Sequence, residues 1–138
     1  MKFGVGNDNR ALISGWAVPD KGGVWSVRKD AAIGFVVRCE PTDCATNDAL
    51  LHFDGGLFVP PGHFRQTIEM WIGTKKVDEA APTLSPARFA MELKGIALKD
   101  GTPLVFSLHL PDAMVQGASN PNDLRELALL ISGLRLEP

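Results

Sequence analysis

Two tryptophans in the first part of the chain are the residues best suited to ligand recognition. Trp16 and Trp25 each carry an indole face that can stack on the apolar face of a sugar ring. Side chains that can bond sugar hydroxyls lie close by in the sequence, namely Asp20, Asn7 and Arg10. This grouping predicts a binding site built on Trp16 or Trp25. The alternative is that both tryptophans pack into the protein, because large aromatic side chains are usually buried.

A second polar group lies near the end of the chain. Arg125 stands beside Asp123 and Glu126, and the planar fork of an arginine matches the geometry of a carboxylate. Asp112 is a further partner if the two loops meet. Arg125 is therefore either a ligand-binding residue or one half of a structural ion pair.

Candidate metal ligands are present, but their spacing is unspecific. Stretches 7–9 and 120–123 contain the oxygen ligands that calcium prefers, yet neither has EF-hand spacing, and turn chemistry explains the same residues. His52, His63 and His109 are dispersed, so no zinc site is predicted. We expect no cofactor, with structural calcium left open.

Two cysteines enclose a short loop. Cys39 and Cys44 are separated by four residues, which fits neither a CxxC redox motif nor a zinc knuckle. We expect two free thiols, and a local disulfide stays open in an oxidising compartment.

Length and composition describe one domain spanning 1–138. A chain of 138 residues with 45% apolar and 22% charged residues can bury a hydrophobic core. Fourteen basic against sixteen acidic residues, without a basic block, argue against a nucleic-acid partner. Apolar runs fall far short of the roughly 20 residues of a membrane helix, so no membrane insertion is expected. The start lacks a secretory apolar stretch, which leaves the compartment open but favours the cytoplasm over the periplasm.

The elements that position these residues are predicted to be strands. In 66–72, Ile68, Met70 and Ile72 share one face, and Trp71 lies on the other, where exposure would mark a binding surface. Segments 88–93 and 104–110 repeat this alternation, the second with Phe106 at the centre of the core, and 31–37, 50–53 and 57–59 are shorter candidates. Glycine turns are predicted at 22–23, 54–56, 73–74, 100–101 and 132–133. The pattern predicts an all-β, two-layer antiparallel β-sandwich.

The segment 120–131 is ambiguous. Asn120 and Pro121 could start a helix that buries Leu124, Leu127 and Ile131. Residues 127–136 also alternate as a strand interrupted by a glycine bulge at Ser132-Gly133. We favour a polar turn followed by a final strand.

Short motifs in a fixed order carry a resemblance to a known group of domains. They are Gly15-Trp16, Pro19-Asp20, Gly23, Trp25-Ser26, Pro111-Asp112 and Asp123-Leu124-Arg125-Glu126-Leu127. The chain resembles the small β-sandwich domains of undefined function attached to bacterial glycosyltransferases and other surface-polysaccharide assembly proteins, which look like galactose-binding jelly rolls. The resemblance implies a jelly-roll-like sandwich with little helix, a glycan ligand and a glycosyltransferase domain as partner.

Three functions remain in competition. A non-catalytic accessory domain that binds carbohydrate weakly should expose an aromatic side chain among polar ones. A structural or protein-interaction domain should bury its tryptophans and present an apolar outer patch. A small hydrolase, the least expected because no GxSxG nucleophile motif occurs, would need a cleft with carboxylates of displaced pKa.

Overall fold

The computed structural model describes residues 1–38, 46–116 and 122–137, and no helix occurs in these ranges. Cys39, Cys44, Asn120 and Pro121, with the predictions made for them, lie outside the described residues. The strands are β1 Leu12–Ser14, β2 Val24–Trp25, β3 Asp30–Val36, β4 Thr46–Asn47, β5 Leu50–Leu57, β6 Ile68–Ile72, β7 Lys75–Ala80, β8 Ala87–Glu92, β9 Ala97–Leu98, β10 Pro103–His109 and β11 Leu129–Glu137.

The strands form two antiparallel sheets packed face to face. One sheet has the order β1-β3-β10-β6-β7, the other β2-β11-β5-β8, and β4 pairs with β9 in a small ribbon. Leaving out β1 and the ribbon, the remaining eight strands nest as the two interlocked Greek keys of a jelly roll. The predicted all-β, jelly-roll-like sandwich is confirmed.

The core lies between the two sheets and follows the predicted alternation along β10. Leu104, Phe106 and Leu108 are buried, while the intervening Val105 is exposed. The ring of Phe106 contacts the ring of Phe53, which belongs to the opposite sheet. The two rings are arranged edge to face, with centroids 6.5 Å apart. The alternation in β6 and β8 is also seen, although Ile72 and Phe89 are only partly buried. Both lie at a margin, Ile72 at the end of β6 and Phe89 on the edge strand β8.

The predicted turn at 54–56 is wrong. These residues lie inside β5, where Gly55 is the Cα partner of both Ile131 and Ala87. A side chain on Gly55 would overlap the carbonyl oxygen of Leu130, because β11 bulges between Ile131 and Gly133. Glycine permits the close backbone approach of a bulged strand here, rather than a turn. The predicted segments 50–53 and 57–59 are therefore not two separate strands. β5 runs without a break from Leu50 to Leu57, and residues 58–59 follow its end.

The final segment adopts the predicted strand. β11 runs through the predicted bulge at Gly133 and pairs with β5 along its length, so the turn predicted at 132–133 is wrong. Leu124, which a helix would bury, is exposed.

Candidate functional site

The six residues predicted to bind ligand do not converge on one place. Trp16 is partly buried and packs against the core. Its indole N–H donates to the carbonyl oxygen of Ala32 on β3, 2.9 Å away. Together with Asn9 it lines a hollow of about 200 Å³. The indole of Trp16 thus fastens the β1–β2 connection to the five-stranded sheet.

Trp25 and Asp20 belong to a hairpin on the other sheet. Trp25 is the Cα partner of Leu130, and because its neighbour Val24 is buried, Trp25 points to the outer face of the four-stranded sheet. Asp20 lies in the turn before β2, where its Oδ1 accepts the N–H of Gly22 at 3.0 Å. Asp20 therefore stabilises the turn that leads to Trp25.

Arg125 forms a local ion pair. Its Nε donates to Asp123 Oδ1 at 2.8 Å, and this hydrogen-bonded guanidinium lowers the pKa of Asp123 to about 2. Asp112 instead accepts the backbone N–H of Thr67 at 3.0 Å. The geometry matches the structural alternative for Arg125.

Asn7 and Arg10 line a cleft of about 600 Å³ beside the edge of β3. The turn that presents them is clamped by Asn9, whose Oδ1 accepts the N–H of Gly4 at 2.8 Å and whose Nδ2 donates to the carbonyl of Asn7 at 3.1 Å. The same turn chemistry accounts for the oxygen-rich stretch 7–9, one of the two candidate calcium-binding stretches. The cleft is lined by Met1, Lys2, Asn7, Asp8, Arg10, Ala11, Gly34, Phe35 and Val36.

The wall of the cleft is an open strand edge. β1 covers only the first part of β3. The last hydrogen bond along this edge is donated by the N–H of Gly34 to the carbonyl oxygen of Ala11, the residue before β1, 2.9 Å away. Because hydrogen-bonding directions alternate along a strand, the N–H and C=O of Val36 point to the same side as those of Gly34. No described strand pairs with 35–36 on that side. The cleft therefore combines backbone polar groups with the partly buried ring of Phe35.

An exposed ion pair forms the rim of the cleft. Arg10 Nη2 lies 2.7 Å from Asp8 Oδ2, and Arg10 Nε lies 3.0 Å from Asp8 Oδ1. Hydrogen bonding to Arg10 lowers the pKa of Asp8 to about 2. The rim thus offers a carboxylate and a guanidinium that both stay charged across the physiological pH range.

The side chain of Trp71, whose exposure would mark a binding surface, is partly buried. Trp71 and His109 stack on the outer face of the five-stranded sheet, with ring centroids 4.9 Å apart and planes 18° apart. Their sequence pattern indicates this placement, because both residues occupy outward positions of alternating strands, between neighbours whose side chains face the core. What could not be read from the sequence was the register that places them on adjacent strands.

Comparisons of the chain with family models, with curated proteins and with solved structures find no match. In the part of the chain that the structure describes, no group of three or more His, Cys, Asp or Glu side chains is arranged to hold a metal ion. No helix there is long and apolar enough to cross a membrane.

Proposed function

We propose that this domain is a non-catalytic accessory module that binds carbohydrate weakly in the cleft beside β3. The observation that carries the proposal is the cleft itself, about 600 Å³ in volume, with a charged rim above an aromatic and backbone-lined wall. Ligand sites are concave and largely apolar, with a few polar groups that fix orientation. This cleft has the volume and the mixture of groups that such a site needs.

Each part of the cleft has a role in this proposal. Asp8 accepts from sugar hydroxyls, and Arg10 and Asn7 donate to them. Phe35 contacts the apolar face of the ring, as the predicted tryptophans were expected to do. Few ordered contacts must offset the freedom lost on association, so we expect a Kd of about 10⁻⁵ to 10⁻³ M.

A finer proposal concerns the partner. The resemblance to domains attached to glycosyltransferases supports a role beside an enzyme of polysaccharide assembly, where the module would hold the growing glycan near the catalytic domain. The order of the short motifs along the sequence supports this role.

The experiment is a glycan screen followed by calorimetry on two matched variants. Arg10 is 91% exposed and pairs with Asp8, while Arg88 is 89% exposed and pairs with Asp54 on the outer face of the other sheet. Arg10→Ala should weaken binding about tenfold or more, since a hydrogen bond to a charged group contributes about 1.5 to 3 kcal/mol. Arg88→Ala should leave it unchanged. Equal affinities for the two variants, or no glycan bound, would refute the cleft site.

A second candidate function, a protein-interaction domain, is favoured by one observation. Phe64, Leu84 and Leu124 are exposed on three loops that the strand order brings to one end of the sandwich. Exposed apolar groups gathered in one region often mark an interface. Under this alternative, Phe64→Ser abolishes co-purification with a glycosyltransferase partner. Under the first, glycan binding survives that substitution unchanged.

Hydrolysis is not part of the proposal. A general acid needs a carboxyl whose pKa is raised toward neutrality. The pKa values of Asp8, Asp78 and Asp123 are lowered, which is the opposite of the shift that a carboxyl acting as a general acid needs.

A further inference from the structure

The outer face of the five-stranded sheet contains a second group of aromatic and charged side chains, centred on β10 and β6 and not on the edge of β3 that lines the cleft. Ala32, Ser107 and Trp71 are Cα partners across β3, β10 and β6, so they form one row on this face. Ala32 and Ser107 are small, which leaves a shallow floor beside the larger side chain of Trp71.

The stacked rings on this face are held by carboxylates. Trp71 Nε1 donates to Glu69 Oε1 at 3.0 Å, and His109 Nε2 lies 3.4 Å from Asp30 Oδ1. Glu69 on β6 and Asp30 on β3 are the Cα partners of His109 on either side of β10. The rings are therefore fixed in place before any ligand arrives.

A protein ammonium group is already bound in this cluster. Lys76 is the Cα partner of Trp71, and its Nζ lies 3.6 Å from Glu69 Oε2 and 3.4 Å from Glu79 Oε1. Its side chain is 39% exposed, so the ammonium is accessible to exchange with another cation. The position of Lys76 thus shows that this arrangement of carboxylates binds an ammonium group.

The charge of the face favours a further cation. Asp30, Glu69 and Glu79 outnumber Lys76, which leaves two net negative charges when His109 is neutral. Cations are also attracted to the face of an indole ring. A negatively charged sugar acid would be repelled here, and an organic ammonium ion would be attracted.

We propose that the outer face of the five-stranded sheet binds the free amine of an unacetylated amino sugar. The amine is held by Glu69 and Asp30, and the apolar face of the sugar ring packs on Trp71 and His109 over the small-residue floor. A simple polyamine shares the ammonium but lacks the ring, so it makes only the first set of contacts. This site is independent of the proposed cleft, and either can fail without the other.

The test uses the indole N–H signals of the three tryptophans in a ¹⁵N-labelled protein. The ligands are a glucosamine tetramer, its fully N-acetylated counterpart and putrescine. The glucosamine tetramer should shift the signal of Trp71 and leave those of Trp16 and Trp25 in place. It should bind about tenfold more tightly than the acetylated tetramer, a margin typical of one charged hydrogen bond, and more tightly than putrescine, which lacks the ring contacts. Equal binding of the acetylated tetramer would overturn recognition of the amine. Equal binding of putrescine would overturn the assignment to a sugar.

Two lysine variants separate this site from a general effect of charge. Lys76→Met removes the competing ammonium and should tighten binding of the glucosamine tetramer about threefold, while Glu69→Gln should weaken it by a similar factor. Lys75→Met removes the same charge from the neighbouring position, the Cα partner of Ile72, and should have little effect. The proposal would be contradicted if the two lysine variants tightened binding equally, or if neither Lys76→Met nor Glu69→Gln changed the affinity.

Discussion

Replacing Phe106 by alanine tests the packing between the two sheets. Phe106 is 1% exposed and meets Phe53 edge to face across the core. Removal of a buried phenylalanine costs about 3 to 5 kcal/mol, through lost burial and the cavity left behind. A loss of that size is a large part of the about 5 to 15 kcal/mol that stabilises a typical domain. We therefore expect Phe106→Ala to be folded but marginal.

The assay is chemical denaturation of Phe106→Ala and Val105→Ala side by side. Val105 is the next residue along β10 but is 56% exposed on the outer face, so its truncation should cost less than about 1 kcal/mol. The ratio of the two losses in unfolding free energy shows which face of β10 is buried, and it does not depend on the total stability of the domain. A smaller loss for Phe106→Ala than for Val105→Ala would refute the assignment of the faces.

Three further predictions concern backbone approach, an indole hydrogen bond and a carboxyl pKa. Gly55→Ala should destabilise the domain by about 1 to 3 kcal/mol or more in the same denaturation assay, because the new methyl group overlaps the backbone of β11; a neutral result would contradict the close approach of the strands. Trp16→Phe removes the donor to the carbonyl of Ala32 and should lower the free energy of unfolding by about 1 kcal/mol, while glycan binding stays intact. Loss of glycan binding in a folded Trp16→Phe variant would show that Trp16 is a ligand residue after all. Arg10→Ala should raise the pKa of Asp8 from about 2 toward its ordinary value of 3.8, because the guanidinium stabilises the ionised carboxylate. An NMR titration of the Asp8 carboxyl carbon in both proteins measures this pKa. An unchanged midpoint would show that the ion pair does not form in solution.

Most of the fold follows from local pattern. Alternation along β6 and β10 predicts the buried faces, since successive side chains of a strand point to opposite sides. The 54–56 segment could not be predicted in the same way. A glycine pair usually marks a turn, and only the distant bulge in β11 explains why glycine is required within the strand.

The candidate site was less predictable, because residues that are close in sequence do not line one pocket. Trp25 and Asp20 fall on the β2 hairpin of one sheet, while Asn7 and Arg10 face the edge of the other. Phe35 was not singled out, because its contribution depends on where β1 stops covering β3. That boundary is a long-range property of strand pairing.

The most direct test of the central claim is to map the bound glycan on the backbone amide spectrum of the ¹⁵N-labelled protein, with the best ligand from the screen. The account predicts concentration-dependent shifts at the N-terminal turn, 7–11, and at the edge of β3, 34–36. Amides near Trp25 and Leu130, on the outer face of the other sheet, should stay in place. Shifts confined to Trp25 and Leu130, or to the loops that carry Phe64 and Leu124, would contradict a binding cleft beside β3.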